Sequence, residues 1–152
     1  MGLQWIGGLD TNSTIEFAIE RAKSQGTTIA TKNDGRGVAY RGFHHGILGE
    51  FWVQSSYLQS HRVSSMMFKV YPESKDMAVL YFNADLEHYE RLYGTPSAYD
   101  FDANTVDLVS SDSVSYYEMA AWNIDNEQLE IGVAFDRDRS KYRYSVFISN
   151  RC

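Results

Sequence analysis

Cysteine is nearly missing from this sequence: the single residue of that type is Cys152, the last of 152. An intramolecular disulfide and a cysteine-based metal cluster are therefore excluded, and a reducing compartment is permitted. Long apolar runs are missing as well. The longest, Met77 to Phe82, falls far short of the roughly 20 residues that a membrane-spanning helix needs. Positive charge is in deficit, with 14 Lys and Arg against 20 Asp and Glu and a net charge of −6. That balance removes the counterion-release drive for binding nucleic acid, and no basic cluster suits an anionic membrane surface. An acidic chain is instead steered toward a basic protein partner. The start, Met1 to Ile6, has neither the basic region and apolar core of a signal peptide nor the Ser or Thr of a myristoylation signal. A cytoplasmic location is expected, or a secreted or periplasmic one if a leader has been removed.

Catalytic signatures are absent too. There is no G-x-S-x-G elbow, no G-x-G-x-x-G or G-x-x-x-x-G-K phosphate loop, and Cys152, expected at a frayed terminus, is a poor nucleophile candidate. Glu87 with Glu90 and Glu127 with Glu130 read as solvated carboxylates, since nothing around them supplies the apolar pocket that raises a working acid. Asp136-Arg137-Asp138-Arg139-Ser140 opens like a calcium loop, but Lys141 replaces the turn glycine and Phe147 the bidentate Glu. The segment reads as an alternating-charge hairpin loop. His44-His45-Gly46 reads as a hairpin tip. Neighbouring histidines there are expected to point to opposite sides, and no His-x-His or Glu-x-x-His spacing supports chelation. Asn12-Ser13-Thr14 matches a glycosylation sequon, but a helix cap explains it more simply. No metal, cofactor or catalytic residue is expected.

What is present is an ordinary globular composition, 43% hydrophobic and 22% charged, with enough chain for one domain. Eleven Tyr, eight Phe and three Trp tilt it toward strands. Trp5 and Ile6 are expected to dock on the core. Ser13 to Gln25 reads as a helix with a capping box at Ser13-Thr14-Ile15-Glu16, an apolar stripe of Ile15, Ala18, Ile19 and Ala22, and a stop at Gly26-Thr27. A second helix, Ser74 to Tyr93, is predicted from Met77, Leu80, Tyr81, Ala84, His88 and Leu92 at helical spacing and a stop at Gly94 and Pro96. A rival reading makes Ala78 to Phe82 a buried strand. Strands are predicted over Thr27 to Thr31, Val38 to Phe43, Leu48 to Ser55, Arg62 to Tyr71, Tyr116 to Ile124, Leu129 to Phe135 and Tyr142 to Ser149, and Thr95 to Phe101 is expected to be extended. Asn33-Asp34-Gly35 serves as a hairpin turn, and Asp102 to Ser113 as a polar loop.

The order helix, Gly-Thr, strands thus occurs twice, over residues of about 13–72 and 74–150. The expected fold is one α+β domain, residues 1–152, with two helices on one face of a mostly antiparallel sheet and a tandem helix-then-strands plan. Alternation along the strands assigns Phe51, Val53, Met66, Phe68, Val70, Leu129, Ile131, Val133, Phe135, Tyr144, Val146 and Ile148 to the core. The other face receives Glu50, Trp52, Gln54, Met67, Lys69, Tyr71, Glu130, Arg143, Ser145 and Phe147. Trp52, Met67, Lys69, Tyr71, Glu130, Arg143 and Phe147 form the expected partner-binding set, since interfaces are enriched in aromatic, Met and Arg side chains. The reading is a non-catalytic protein-binding module, of the kind of an inhibitor or a toxin-neutralising immunity protein, acting through that face or an edge strand. Two alternatives stand beside it: a small-molecule binder or small enzyme with a cleft near helix 2, using Glu87, His88 or Tyr89, and a homodimer subunit.

Overall fold

The computed structural model describes residue 9 and residues 13–24, 28–32, 37–55, 62–101 and 114–150. Among them the order is α1 (Ile15–Ser24), β1 (Thr28–Lys32), β2 (Gly37–His44), β3 (Ile47–Ser55), β4 (Val63–Val70), α2 (Lys75–Tyr93), β5 (Ala98–Phe101), β6 (Val114–Ile124), β7 (Glu127–Asp136) and β8 (Lys141–Asn150). The strands form one antiparallel sheet ordered β1-β2-β3-β4-β8-β7-β6-β5. Each helix is followed by four strands, and the last strand of each set, β4 and β8, meet at the centre of the sheet. The expected docking of Trp5 and Ile6, the stop at Gly26-Thr27, the turn at Asn33-Asp34-Gly35 and the loop from Asp102 to Ser113 lie outside the described residues.

Register decides which side chains share a face, because directly opposed residues point the same way. One row runs Tyr40, Phe51, Phe68, Val146, Ile131, Ala120, and the next Val38, Val53, Met66, Ile148, Leu129, Trp122. All twelve are buried, in one cluster with Ile15, Ala18 and Ala22 of α1 and Ala78, Phe82 and Tyr89 of α2. Of the expected core positions only Val70 and Phe135 are half-buried. Tyr40 stacks on Phe51 with centroids 5.3 Å apart, and Phe51 meets Phe68 at 5.0 Å.

The helix ends follow local chemistry. Thr14 Oγ1 accepts the N–H of Phe17 at 3.1 Å, and α1 begins at Ile15. It starts two residues after the expected Ser13 because the preceding chain is engaged with β4: Val63 N–H donates to Ser13 O at 2.9 Å and Thr14 bridges to Arg62. Ser74 caps α2 by accepting from the N–H of Met77, and Gly94, at φ 82°, closes it with its N–H on Glu90 O. Trp122 Nε1 donates to Gly94 O at 2.9 Å, tying that end to β6.

The inward stripe of α2 differs from the expected one. Ala78, Phe82, Asp85 and Tyr89 are buried, whereas Met77, Leu80 and Leu92 are exposed. The helix is therefore rotated by about one position, and the strand alternative for Ala78 to Phe82 is overturned. The physical reason is Asp85, a carboxylate occupying a core position, which breaks the apolar period that would have marked the true face.

Gly42 and Gly49 oppose each other on the side facing the core. A Cβ on Gly49 would lie 2.6 Å from the Phe68 ring and 2.7 Å from the carbonyl of Lys69, while one on Gly42 would meet side-chain ring atoms, Phe51 at 2.9 Å and 3.1 Å and Tyr40 at 3.9 Å. The glycines make room for the aromatic rings. Gly49→Ala, which presses on backbone, should cost about 2 kcal/mol, and Gly42→Ala less, because a ring edge can shift; urea midpoints of the two variants check the order.

Candidate functional site

The hairpin joining β2 to β3 turns in two residues, His45 at φ 50° and Gly46 at φ 80°. Positive φ at both positions is the pattern of the tightest hairpin turns, which Asn-Gly fills most readily. The turn closes at the pair His44 and Ile47. His44 is on the core side, buried, with its ring 5.0 Å from Phe68. His45, turned back by its positive φ, stacks on His44 with centroids 3.9 Å apart.

Both rings reach one carboxylate. Asp85 is 3% exposed, with Oδ2 3.0 Å from His44 Nε2 and Oδ1 2.6 Å from His45 Nδ1. The hydroxyl of the buried Tyr144, on β8, donates to Oδ2 in a short hydrogen bond. Burial alone would raise the Asp85 pKa; the hydrogen bonds from His44, Tyr144 and His45, with the charge of His44, outweigh it and hold the carboxyl below its ordinary value. Burial, the adjacent Asp85 charge and the hydrogen bond to it push the Tyr144 phenol well above its usual range, so it stays a donor. Burial and then Asp85 raise Tyr89 likewise.

The cluster opens to solvent through His45, whose side chain is 41% exposed. His88, one turn beyond Asp85 on α2, sets its ring edge-on to His45 at 4.7 Å. Partial burial and then the neighbouring His45 lower the His88 pKa. The expectation that adjacent histidines point apart is thus corrected. It holds for extended backbone and fails where the second residue enters the left-handed region. The signal that could have found the group is Asp85-Leu86-Glu87-His88, an Asp and a His three apart, hence on one side of a helix.

The expected partner-binding set falls on the other face of the sheet, in the row Ala39, Trp52, Met67, Phe147, Glu130, Ala121 and the rows beside it. Trp52, Met67, Lys69, Tyr71, Glu130 and Phe147 are half-buried there, and Arg143, 8% exposed, is buried together with Ser145. Trp52 Nε1 donates to Glu50 Oε1 at 3.1 Å, and Lys69 Nζ sits 4.5 Å from the Trp52 ring centroid. Burial, and then the charge of Arg143, lowers the Lys69 pKa. Tyr71 donates to Asp136 Oδ2 at 3.3 Å beneath the Arg139 guanidinium, 4.7 Å from its ring. Asp136 Oδ1 also accepts the N–H of Arg139 at 3.1 Å. Its carboxylate is shared between its own hairpin and Tyr71.

Two residues of this face were missing from the expected set. Phe43 and Leu48 oppose each other across β2 and β3, 68% and 54% exposed. They lie at the turn end of the strand pair that carries Trp52, on the opposite side from His44.

No family model, no curated protein and no solved structure matches this chain.

Asp85→Ala, which strands the Tyr144 hydroxyl and the buried His44, should cost about 3 kcal/mol, and Tyr144→Phe about 1–2 kcal/mol; urea unfolding measures both. The acid dependence follows from the sign of the Asp85 shift. A carboxyl whose folded pKa lies below its unfolded value stabilises above the unfolded value, and that stability is lost as pH falls through the folded one. The stability of the native protein should therefore decline below a pH of about 4 more steeply than that of Asp85→Asn, as melting temperatures across that range would record.

Proposed function

We propose that this protein is a non-catalytic binding module that engages another protein through the sheet face opposite the buried cluster. In this reading both helices cover the side bearing Phe51 and Phe68. The two helix-then-four-strand sets are taken as copies of one plan, and the partner is taken to meet the other face at its β2–β3 end, since Arg143 and Ser145 of β8 are already buried.

The observation carrying the reading is the Phe43 and Leu48 pair, apolar and mostly exposed, on the same face as half-buried Trp52, Met67 and Phe147. An apolar centre ringed by polar groups is the usual build of a protein interface, with aromatic side chains as its anchors. The charges nearby are mixed: Lys69, Arg139 and Arg143 against Glu50, Glu130 and Asp136. Net acidity therefore favours the approach of a basic partner, while contact at the face rests on apolar burial. An inhibitor or immunity-type protein is one version of this role, and a second copy of the chain is another occupant the face would accept.

A second reading, a small-molecule or catalytic site beside α2, is favoured by one specific observation. His88 and Tyr89, two of the residues expected there, stand against the His44, His45 and Asp85 group.

Replacing Phe43 and Leu48 with Ser should leave the melting temperature within a few degrees of native, because little apolar area is buried there. It should also reduce capture of a co-purifying partner from the native source at least tenfold. Light scattering at high micromolar concentration separates the occupants: a dimer that the double variant dissociates identifies the second copy. Unchanged capture and an unchanged oligomeric state in the variant would sink the reading.

A further inference from the structure

We propose that His44, His45 and Asp85 form a binding site for a single divalent transition-metal ion of the zinc class, with Tyr144 holding the carboxylate in place. The inference rests on the cluster alone and is independent of the binding face.

The donor set is the first argument. Two imidazoles and one carboxylate are the ligands that zinc, nickel, cobalt and ferrous ions share. Calcium and magnesium prefer all-oxygen sites, and soft monovalent copper prefers sulfur. The second argument is distance. One ligand atom from each residue lies within 4.8 Å of the other two. An ion placed among them sits within about an ångström of the 2.0–2.2 Å that zinc requires. The third is preorganisation. The carboxylate is fixed by a buried phenol from β8, and such an outer hydrogen bond is what keeps a metal-binding carboxylate in register. The fourth is access. His44 and Asp85 are buried, but His45 faces solvent, so an ion can enter at the turn and the positions not filled by protein are left to water.

Each imidazole hydrogen-bonds to the Asp85 carboxylate. Binding exchanges those contacts for coordination and keeps the bond from Tyr144. Each imidazole already sets one ring nitrogen against the Asp85 carboxylate, so the three ligand atoms start within 4.8 Å of one another.

His45→Asn supplies a clean test. Asn accepts the left-handed backbone that His45 adopts and forms the favoured Asn-Gly turn, so the hairpin survives while one imidazole is lost. Protein stripped with a chelator and titrated calorimetrically with zinc chloride should bind one ion per chain, with a dissociation constant in the micromolar range or tighter. Cobalt should give a visible ligand-field band that zinc displaces. Excess zinc should raise the melting temperature of the native protein, as an ion bound to the folded state must. His45→Asn and His44→Ala should weaken binding at least tenfold and lose the thermal shift, while Phe43→Ser binds as the native protein does. The proposal fails if zinc does not bind stoichiometrically, or if His45→Asn, folded by its circular dichroism spectrum, binds it as tightly as the native chain. Either result leaves the binding-face reading untouched, as loss of partner capture by the Phe43 and Leu48 variant leaves this one.

Discussion

Burying Asp85 requires several donors to arrive together, and they come from separate stretches of chain: the end of β2, the turn after it, and β8. A carboxylate taken out of water without them costs several kcal/mol, so α2 can seat itself in few ways. The hydrogen bonds to Asp85 tie the rotation of α2 to the β2–β3 turn and to β8. Gly49 belongs to the same arrangement, because the Phe68 ring it admits also packs against His44. Apolar packing makes the sheet and helices cohere. The buried carboxylate selects one among the geometries that packing would allow.

Most of the fold was legible in the sequence, because the strands alternate cleanly and the helices carry strong end signals. Seven of the eight strands lie where alternation put them to within a few residues, β5 falls in the segment expected only to be extended, and Ser74 and Gly94 bound α2. The face of α2 was not legible. A search for apolar spacing gives weight to Met77, Leu80 and Leu92 and none to Asp85, yet the helix turns the carboxylate inward. The same blindness hid the cluster. His44 and His45 looked like a solvent-facing tip because their partner is 41 and 40 residues away in sequence, and because extended geometry would have set the two rings apart. Phe43 and Leu48 were missed for a related reason: both lie at the ends of strands, where alternation says which face a residue takes but not whether anything covers it.

The two surfaces flank one hairpin. His44 points to the side of the buried cluster and Phe43 to the other, as neighbours along a strand must. What each side can do follows from its neighbours. On one, a carboxylate held by a phenol gathers imidazoles into a polar cluster that reaches solvent through His45. On the other, apolar side chains stand in water beside charges of both signs. A ligand at the first has to satisfy directional lone pairs, whereas a ligand at the second need only be apolar and of complementary shape.

The seam between β4 and β8 has a consequence for the order of folding events. Each set of four strands pairs with its neighbours in sequence, so hairpins can grow locally. The seam joins residues far apart along the chain, Val70 with Tyr144 and Ser65 with Ser149, and long-range pairings of this kind close late. Until they do, β4 and β8 are edges, each with a row of unpaired backbone groups beside a strongly apolar face. Such edges pair with whatever strand is nearest, including the same strand of another chain. The central line of the finished sheet is therefore the point at which a newly made chain is most open to exchange with its neighbours.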